Sequence, residues 1–153
     1  SFCALVAPAL LAEEHPLCNV NDVYNAVFVH GNMLGDAMFY GSGAGKLPTA
    51  SAVVADVVDA SKHLHRNNMT IWEAEKIKPI PIRETSRRFF VRVRGNAEDL
   101  KQQIADDFGT VQTVFAEGLD NEFGFVTEVM SEGEFEKRAE ALPEIIHMIR
   151  IAG

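Results

Sequence analysis

Residues 89–109 read FFVRVRGNAEDLKQQIADDFG, and they decide the architecture of the C-terminal half. Phe89, Val91 and Val93 alternate with Phe90, Arg92 and Arg94, the period-two pattern of a half-buried strand. Asn96 offers a side-chain oxygen to the free amides of a helix start. Leu100, Ile104 and Phe108 then recur at i, i+4 and i+8, on one helical face. Gly109 stands where a helix C-cap ends the run. Two strand-like stretches follow, 111–117 and 123–130, joined by the turn Gly118-Leu-Asp-Asn121. Ser131-Glu-Gly-Glu134 reads as a capping box. The helix behind it uses Phe135, Ala139 and Leu142, and Pro143 forbids its extension. Residues 144–151 read as a last strand, giving the order βαββαβ.

That order is the ferredoxin-like split unit. One helix layer on one sheet leaves an open face and an exposed edge, which such units commonly hide by pairing. Upstream, residues 67–86 read as a connector. It carries Asn67-Asn68, then a stretch at 70–78 with room for a short strand or a turn of helix. Pro79-Ile-Pro81 reads as extended chain, because each proline drives its predecessor out of the helical region. The first 66 residues are apolar and glycine-rich. Residues 2–6 read as a buried strand ending at Pro8. Residues 23–30 and 34–40 read as a hairpin about Gly31-Asn32. Val53, Val54, Val57 and Val58 have helical spacing, in a helix expected from Pro48 and Thr49 to about His65. The whole is expected to be α+β, with domains at 1–66 and 87–153 and a linker at 67–86.

The chain has 153 residues, 47% of them apolar and 24% charged, which fits an ordinary globular protein of one or two small domains. Fourteen basic against 22 acidic residues give a net charge of −8. That balance argues against nucleic acid and against anionic membrane surfaces as partners. No apolar stretch of about 18 residues offers a membrane span. Cys3 and Cys18 are too few for a disulfide framework, so a reduced, cytoplasmic setting is expected. The apolar opening resembles a signal segment but lacks a basic start. The first residue is Ser1, so the chain reads as the continuation of a longer protein.

The most suggestive motif is Gly41-Ser-Gly-Ala-Gly45-Lys46. It is not a Walker A loop, because Tyr40 and Leu47 occupy the required Gly and Ser/Thr positions. It is not the dinucleotide fingerprint either, since Lys46 replaces the third glycine. A glycine loop feeding a helix start still allows close backbone approach to an electron-rich ligand, and it equally serves as a tight strand-to-helix turn. The histidines are at 15, 30, 63, 65 and 147; His63 and His65 face different sides of a helix, and no metal site is expected. Glu13-Glu14 reads as a solvated loop. Arg83, Arg87, Arg88, Arg92 and Arg94 read as a solvated sheet face or an interface.

Several stretches together resemble homoserine dehydrogenase. They are Ala7-Pro-Ala-Leu-Leu11, His15-Pro-Leu17, Asn25-Ala-Val-Phe28 and Met38-Phe-Tyr40-Gly41. Gly43-Ala-Gly45-x-x-Pro48-Thr-Ala-Ser-Ala-Val53 with Asp56 completes the set. The similarity spans about residues 3–60. Residues 87–153 are similar to an ACT domain, the small-molecule-sensing module that often follows in that family. The resemblance implies an NAD(P)-dependent enzyme interconverting L-aspartate 4-semialdehyde and L-homoserine, on the route to threonine, methionine and isoleucine. It implies a Rossmann domain, a catalytic lysine and homoserine-binding carboxylates upstream of this chain, so no catalytic residue is expected here and the chain alone is expected to be inactive. It places Gly43, Ala44, Gly45 and Thr49 at the NADP or NAD cofactor. For the ACT-like part it implies an amino-acid effector, L-threonine, at Gly95, Asn96, Ala97 and Glu98. This loop lacks the family's Pro-Gly pair, and Glu98 and Asp99 would repel a carboxylate while welcoming an ammonium. The expected assembly is a homodimer or higher oligomer, through the strands at 23–40 and through ACT pairing. The alternative is a stand-alone amino-acid-binding ACT module or interaction protein.

Overall fold

The computed structural model describes residues 1–66, 71–119, 121–142 and 144–152. In chain order the strands are β1 (Ala9–Leu10), β2 (Tyr24–Gly31), β3 (Gly35–Ser42), β4 (Ser86–Arg94), β5 (Gln112–Val114), β6 (Glu122–Val126), β7 (Met130–Ser131) and β8 (Ile145–Ile151). The α-helices are α1 (Lys46–Lys62), α2 (Ala97–Phe108) and α3 (Glu132–Ala139). The chain is mixed α and β and forms two compact units. One joins Ser1–Leu11 to Glu75–Gly153; the other is Ala12–Ala74. The cut between Ala74 and Glu75 falls within the segment read as a linker, and the first eleven residues pack with the C-terminal unit.

The C-terminal unit is one sheet in the order β1-β8-β4-β6-β5, with β7 also pairing β4. Strand β4 runs antiparallel to both neighbours, β6 and β8. Its alternation works as read: Phe89, Val91 and Val93 are fully buried, whereas Phe90 and Arg92 are only partly so. Ile104 and Phe108 of α2 and Phe135 of α3 complete the core. Phe135 stacks on Phe89 at 4.5 Å between ring centroids, and Phe108 meets Phe125 edge-on at 5.3 Å. Asn96 caps α2 by accepting from the Glu98 amide at 2.9 Å, and Gly109 ends it. The Ser131 hydroxyl accepts from the Glu134 amide at 3.2 Å, the first half of the capping box. The Glu134 carboxylate pairs with Arg138, one turn further along α3. The expected helix stop at Pro143 lies outside the described residues.

Three strand readings are corrected. Residues 2–6 form no strand and are exposed. Phe2 makes only an isolated bridge to Pro79, and regular pairing starts beyond Pro8, where Ala9 and Leu10 join β8 in parallel. The stretch 111–117 pairs only over β5, since Val114 already faces Gly124 and the chain turns away at Ala116. The stretch 123–130 breaks after Val126. There the Thr127 amide still donates to the Phe89 carbonyl at 3.0 Å, while the buried Thr127 hydroxyl accepts the Phe89 amide at 3.0 Å, in place of a backbone carbonyl, and donates to the Glu128 carbonyl at 2.9 Å. Residues 71–78 carry neither strand nor helix, and Asn67-Asn68 and Asp120 lie outside the described residues.

The second unit holds the β2–β3 hairpin and α1. The turn is one residue longer than expected: Asn32, Met33 and Leu34 bridge the closing pair Gly31–Gly35. Helix α1 starts at Lys46 and ends at Lys62, with Val53, Val54, Val57 and Val58 all exposed.

Candidate functional site

Two of the sequence-derived sites are loops that lead from a strand into a helix. The first leaves β3 at Ser42 and enters α1 at Lys46. Gly45 is the N-cap residue, with φ 117° and ψ 161° and no side-chain cap. That conformation is open to glycine and strained for other residues. Its carbonyl accepts the Thr49 amide at 3.1 Å, the first turn of the helix. Gly43, Ala44, Gly45 and Thr49 thus lie together at one helix start, and all four are exposed. A helix start presents unpaired amides and the positive end of the dipole, so this loop can receive an anionic or electron-rich group with no side chain in the way.

Sequence reasoning missed a neighbour of this loop. Asn25 on β2 is the cross-strand partner of Gly41. A Cβ on Gly43 would stand 2.0 Å from Asn25 Nδ2, so the carboxamide fills the space a side chain there would need. The signal available in the sequence was a polar residue just before the apolar run Ala26–Val29 of β2.

The second loop joins β4 to α2. Gly95 has φ 138°, and its amide donates to the Asn121 carbonyl at 2.7 Å. A Cβ there would also press on Leu100 Cδ1, at 2.8 Å. Gly95, Asn96, Ala97 and Glu98 line one open groove of about 350 Å³, with Phe115 and Leu119 on its apolar side. Asn121, also in this groove, was seen in the sequence only as a turn residue. Glu122 at the rim is engaged by Arg92 and lies 3.8 Å from Arg94, which also bonds Glu144 at 3.0 Å. Within the arginine stretch Arg92 and Arg94 thus pair with carboxylates, Arg83 pairs with Glu136 of α3, and Arg87 donates to the Thr85 hydroxyl.

No group of three or more metal-ligating side chains occurs among the described residues. No helix among them is long and apolar enough to cross a membrane.

The family model for homoserine dehydrogenase matches residues 2–58. The homoserine dehydrogenase of Synechocystis is 61% identical over 54 residues, covering 35% of this chain and 12% of that protein. That of Mycobacterium tuberculosis H37Rv is 35% identical over 132 residues, covering 85% of this chain and 28% of that protein. Among solved structures, a homoserine dehydrogenase from Thiobacillus denitrificans superposes with a TM-score of 0.71 at 25% identity, over 94% of this chain and 37% of that one. The S. aureus homoserine dehydrogenase at pH 7.0 gives 0.68 at 26% identity, over 95% and 36%. The chain thus spans a minor part of the length of these relatives. Over that part the chain is similar to homoserine dehydrogenases in sequence and in fold, and its residues 2–58 match that family's model.

Proposed function

We propose that the chain supplies the cofactor-facing glycine loop and the regulatory, dimerising part of a homoserine dehydrogenase. That enzyme uses NADP or NAD to interconvert L-aspartate 4-semialdehyde and L-homoserine. The observation that carries this reading is the loop at 43–45, inside the family match, opening α1 with Gly45 at φ 117°. Its part in the reaction is steric and electrostatic: bare backbone approaches the dinucleotide, and the helix start favours its electron-rich groups. The chain moves no proton in this scheme. The catalytic lysine and the carboxylates that hold homoserine come from other segments of the enzyme.

We assign residues 87–153 to an ACT domain. The strand order β8-β4-β6-β5 with two helices supports the ferredoxin-like unit. The groove at Gly95, Asn96, Ala97 and Glu98 is its effector site, with L-threonine as ligand. Glu98, in the first turn of α2, attracts the ligand's ammonium. The partner is a second copy of the chain. Val27, Val29 and Phe39 of the hairpin and the α1 valines are exposed, an apolar surface suited to subunit contact in a cytoplasmic enzyme.

The test is homoserine-dependent reduction of NADP, measured for the 153-residue chain alone and for the complete enzyme. Activity in the complete enzyme with none in the chain supports the division of labour. Turnover by the chain alone overturns it.

A further inference from the structure

We propose that Asn25 is the positioning residue of the glycine loop, acting through Gly43 to set the geometry in which the loop meets a dinucleotide. This rests on the cofactor reading given above.

The two glycines of the loop lack side chains for different reasons. Gly45 needs none because of its backbone, at φ 117°. Gly43 is not among the residues with positive φ, so its backbone would accept any residue. What a side chain at Gly43 would displace is Asn25. An added Cβ would lie 2.0 Å from Asn25 Nδ2, 3.1 Å from Cγ and 3.5 Å from Cβ. The Asn25 side chain therefore lies against the loop at Gly43.

The backbone of Asn25 is held in the ladder, and its side chain is exposed. Asn25 is the second residue of β2, opposite Gly41 and one residue from the loop's departure at Ser42. The adjoining Tyr24 and Tyr40 stack across the same hairpin, with ring centroids 4.9 Å apart and planes 15° apart. The far end of the loop is fixed by the Gly45 carbonyl and the Thr49 amide. The loop is thus pinned at its helix end by backbone geometry and at its strand end by one side chain. Changing that side chain alters where the loop amides point without touching the ligand-facing residues.

The test is a double-mutant cycle with Gly43→Ala, Asn25→Ala and both together. Two quantities are read: hydrogen exchange of the amides at 44–46 in this chain, and KM and kcat for NADP in the complete dehydrogenase. Gly43→Ala is expected to speed loop exchange and to raise KM by about tenfold, with the larger part of the effect in KM. Asn25→Ala alone is expected to loosen the loop and raise KM by a similar factor, and the double variant to lose no more than either single change, because both disturb one contact. Additive losses in the double variant overturn the positioning role. Coupled exchange with no change in KM for any variant shows instead that the loop is not at the cofactor, and the cofactor reading fails while the Asn25–Gly43 contact stands.

Discussion

The Glu132 carboxylate, in the first turn of α3, holds the Arg150 guanidinium of β8 through paired hydrogen bonds, one of them from Arg150 Nε at 3.0 Å. Glu132 is only 3% exposed, so this is a largely desolvated ion pair inside the C-terminal unit. The backbone of Arg150 pairs opposite Phe89 of β4 and Ala9 of β1, so its side chain links α3 to a strand held on both edges. The hydrogen bond to Glu132 raises the Arg150 pKa, opposed by desolvation and supported by the negative charges of Glu132 and Glu136. A raised pKa on a base stabilises the fold at all pH values below its ordinary range and loses that effect only above it. Arg150 therefore adds no pH dependence near neutrality.

Removing one partner leaves the other charge buried and unpaired. Glu132→Ala is expected to cost about 3 kcal/mol. Glu132→Met with Arg150→Met is expected to recover most of that loss, because apolar replacement of a buried pair is often neutral. Urea unfolding of the single and double variants checks this. Equal losses in both would show that the pair contributes only packing.

Strand β1 is part of the C-terminal unit. The Ala152 amide donates to the Leu10 carbonyl at 2.9 Å, and the Ile80 amide donates to the Phe2 carbonyl at 2.7 Å. Deleting residues 1–11 leaves β8 with a bare edge. The deletion is expected to destabilise the C-terminal unit by about 1–3 kcal/mol, from two or more lost hydrogen bonds. It is also expected to expose the Ala152 amide to rapid exchange. Hydrogen exchange followed residue by residue reads both effects, and protection that survives the deletion would contradict the pairing.

The groove at Gly95 gives a binding expectation. Calorimetric titration of L-threonine into the chain, with L-homoserine, L-methionine and L-lysine as comparisons, should give saturable heat for threonine alone. Gly95→Ala forces a strained backbone and presses on Leu100, so it should abolish that heat. Asn96→Ala removes the α2 cap and should lower stability by about 1 kcal/mol. Heat from none of the amino acids would leave the unit a purely structural one.

The legible parts of the fold are those whose cause is local. Alternation in β4, the spacing of Leu100, Ile104 and Phe108, and the Asn96 and Ser131 caps all act within a few residues, and all appear in the structure. What escaped has partners far along the chain. Leu10 pairs with Ile151, so no nearby pattern marks β1. Thr127 ends β6 by bonding Phe89, which hydrophobicity alone does not reveal. Glu132 carries no local mark of its pairing, because Arg150 lies 18 residues further along the chain. The glycine loop was legible as a strand-to-helix turn, and Gly45 meets that reading. Asn25 was not, because its role depends on the hairpin register that brings it under Gly43.

Gly45→Val in the complete enzyme decides whether the loop at 43–45 meets the nicotinamide dinucleotide. Valine at φ 117° is strained, and its branches occupy the space that bare backbone leaves for the ligand. The measurement is KM for NADP at saturating homoserine, with thermal unfolding as a control for the fold. KM is expected to rise by about tenfold or more, in a variant that remains folded. An unchanged KM in a folded variant would contradict it.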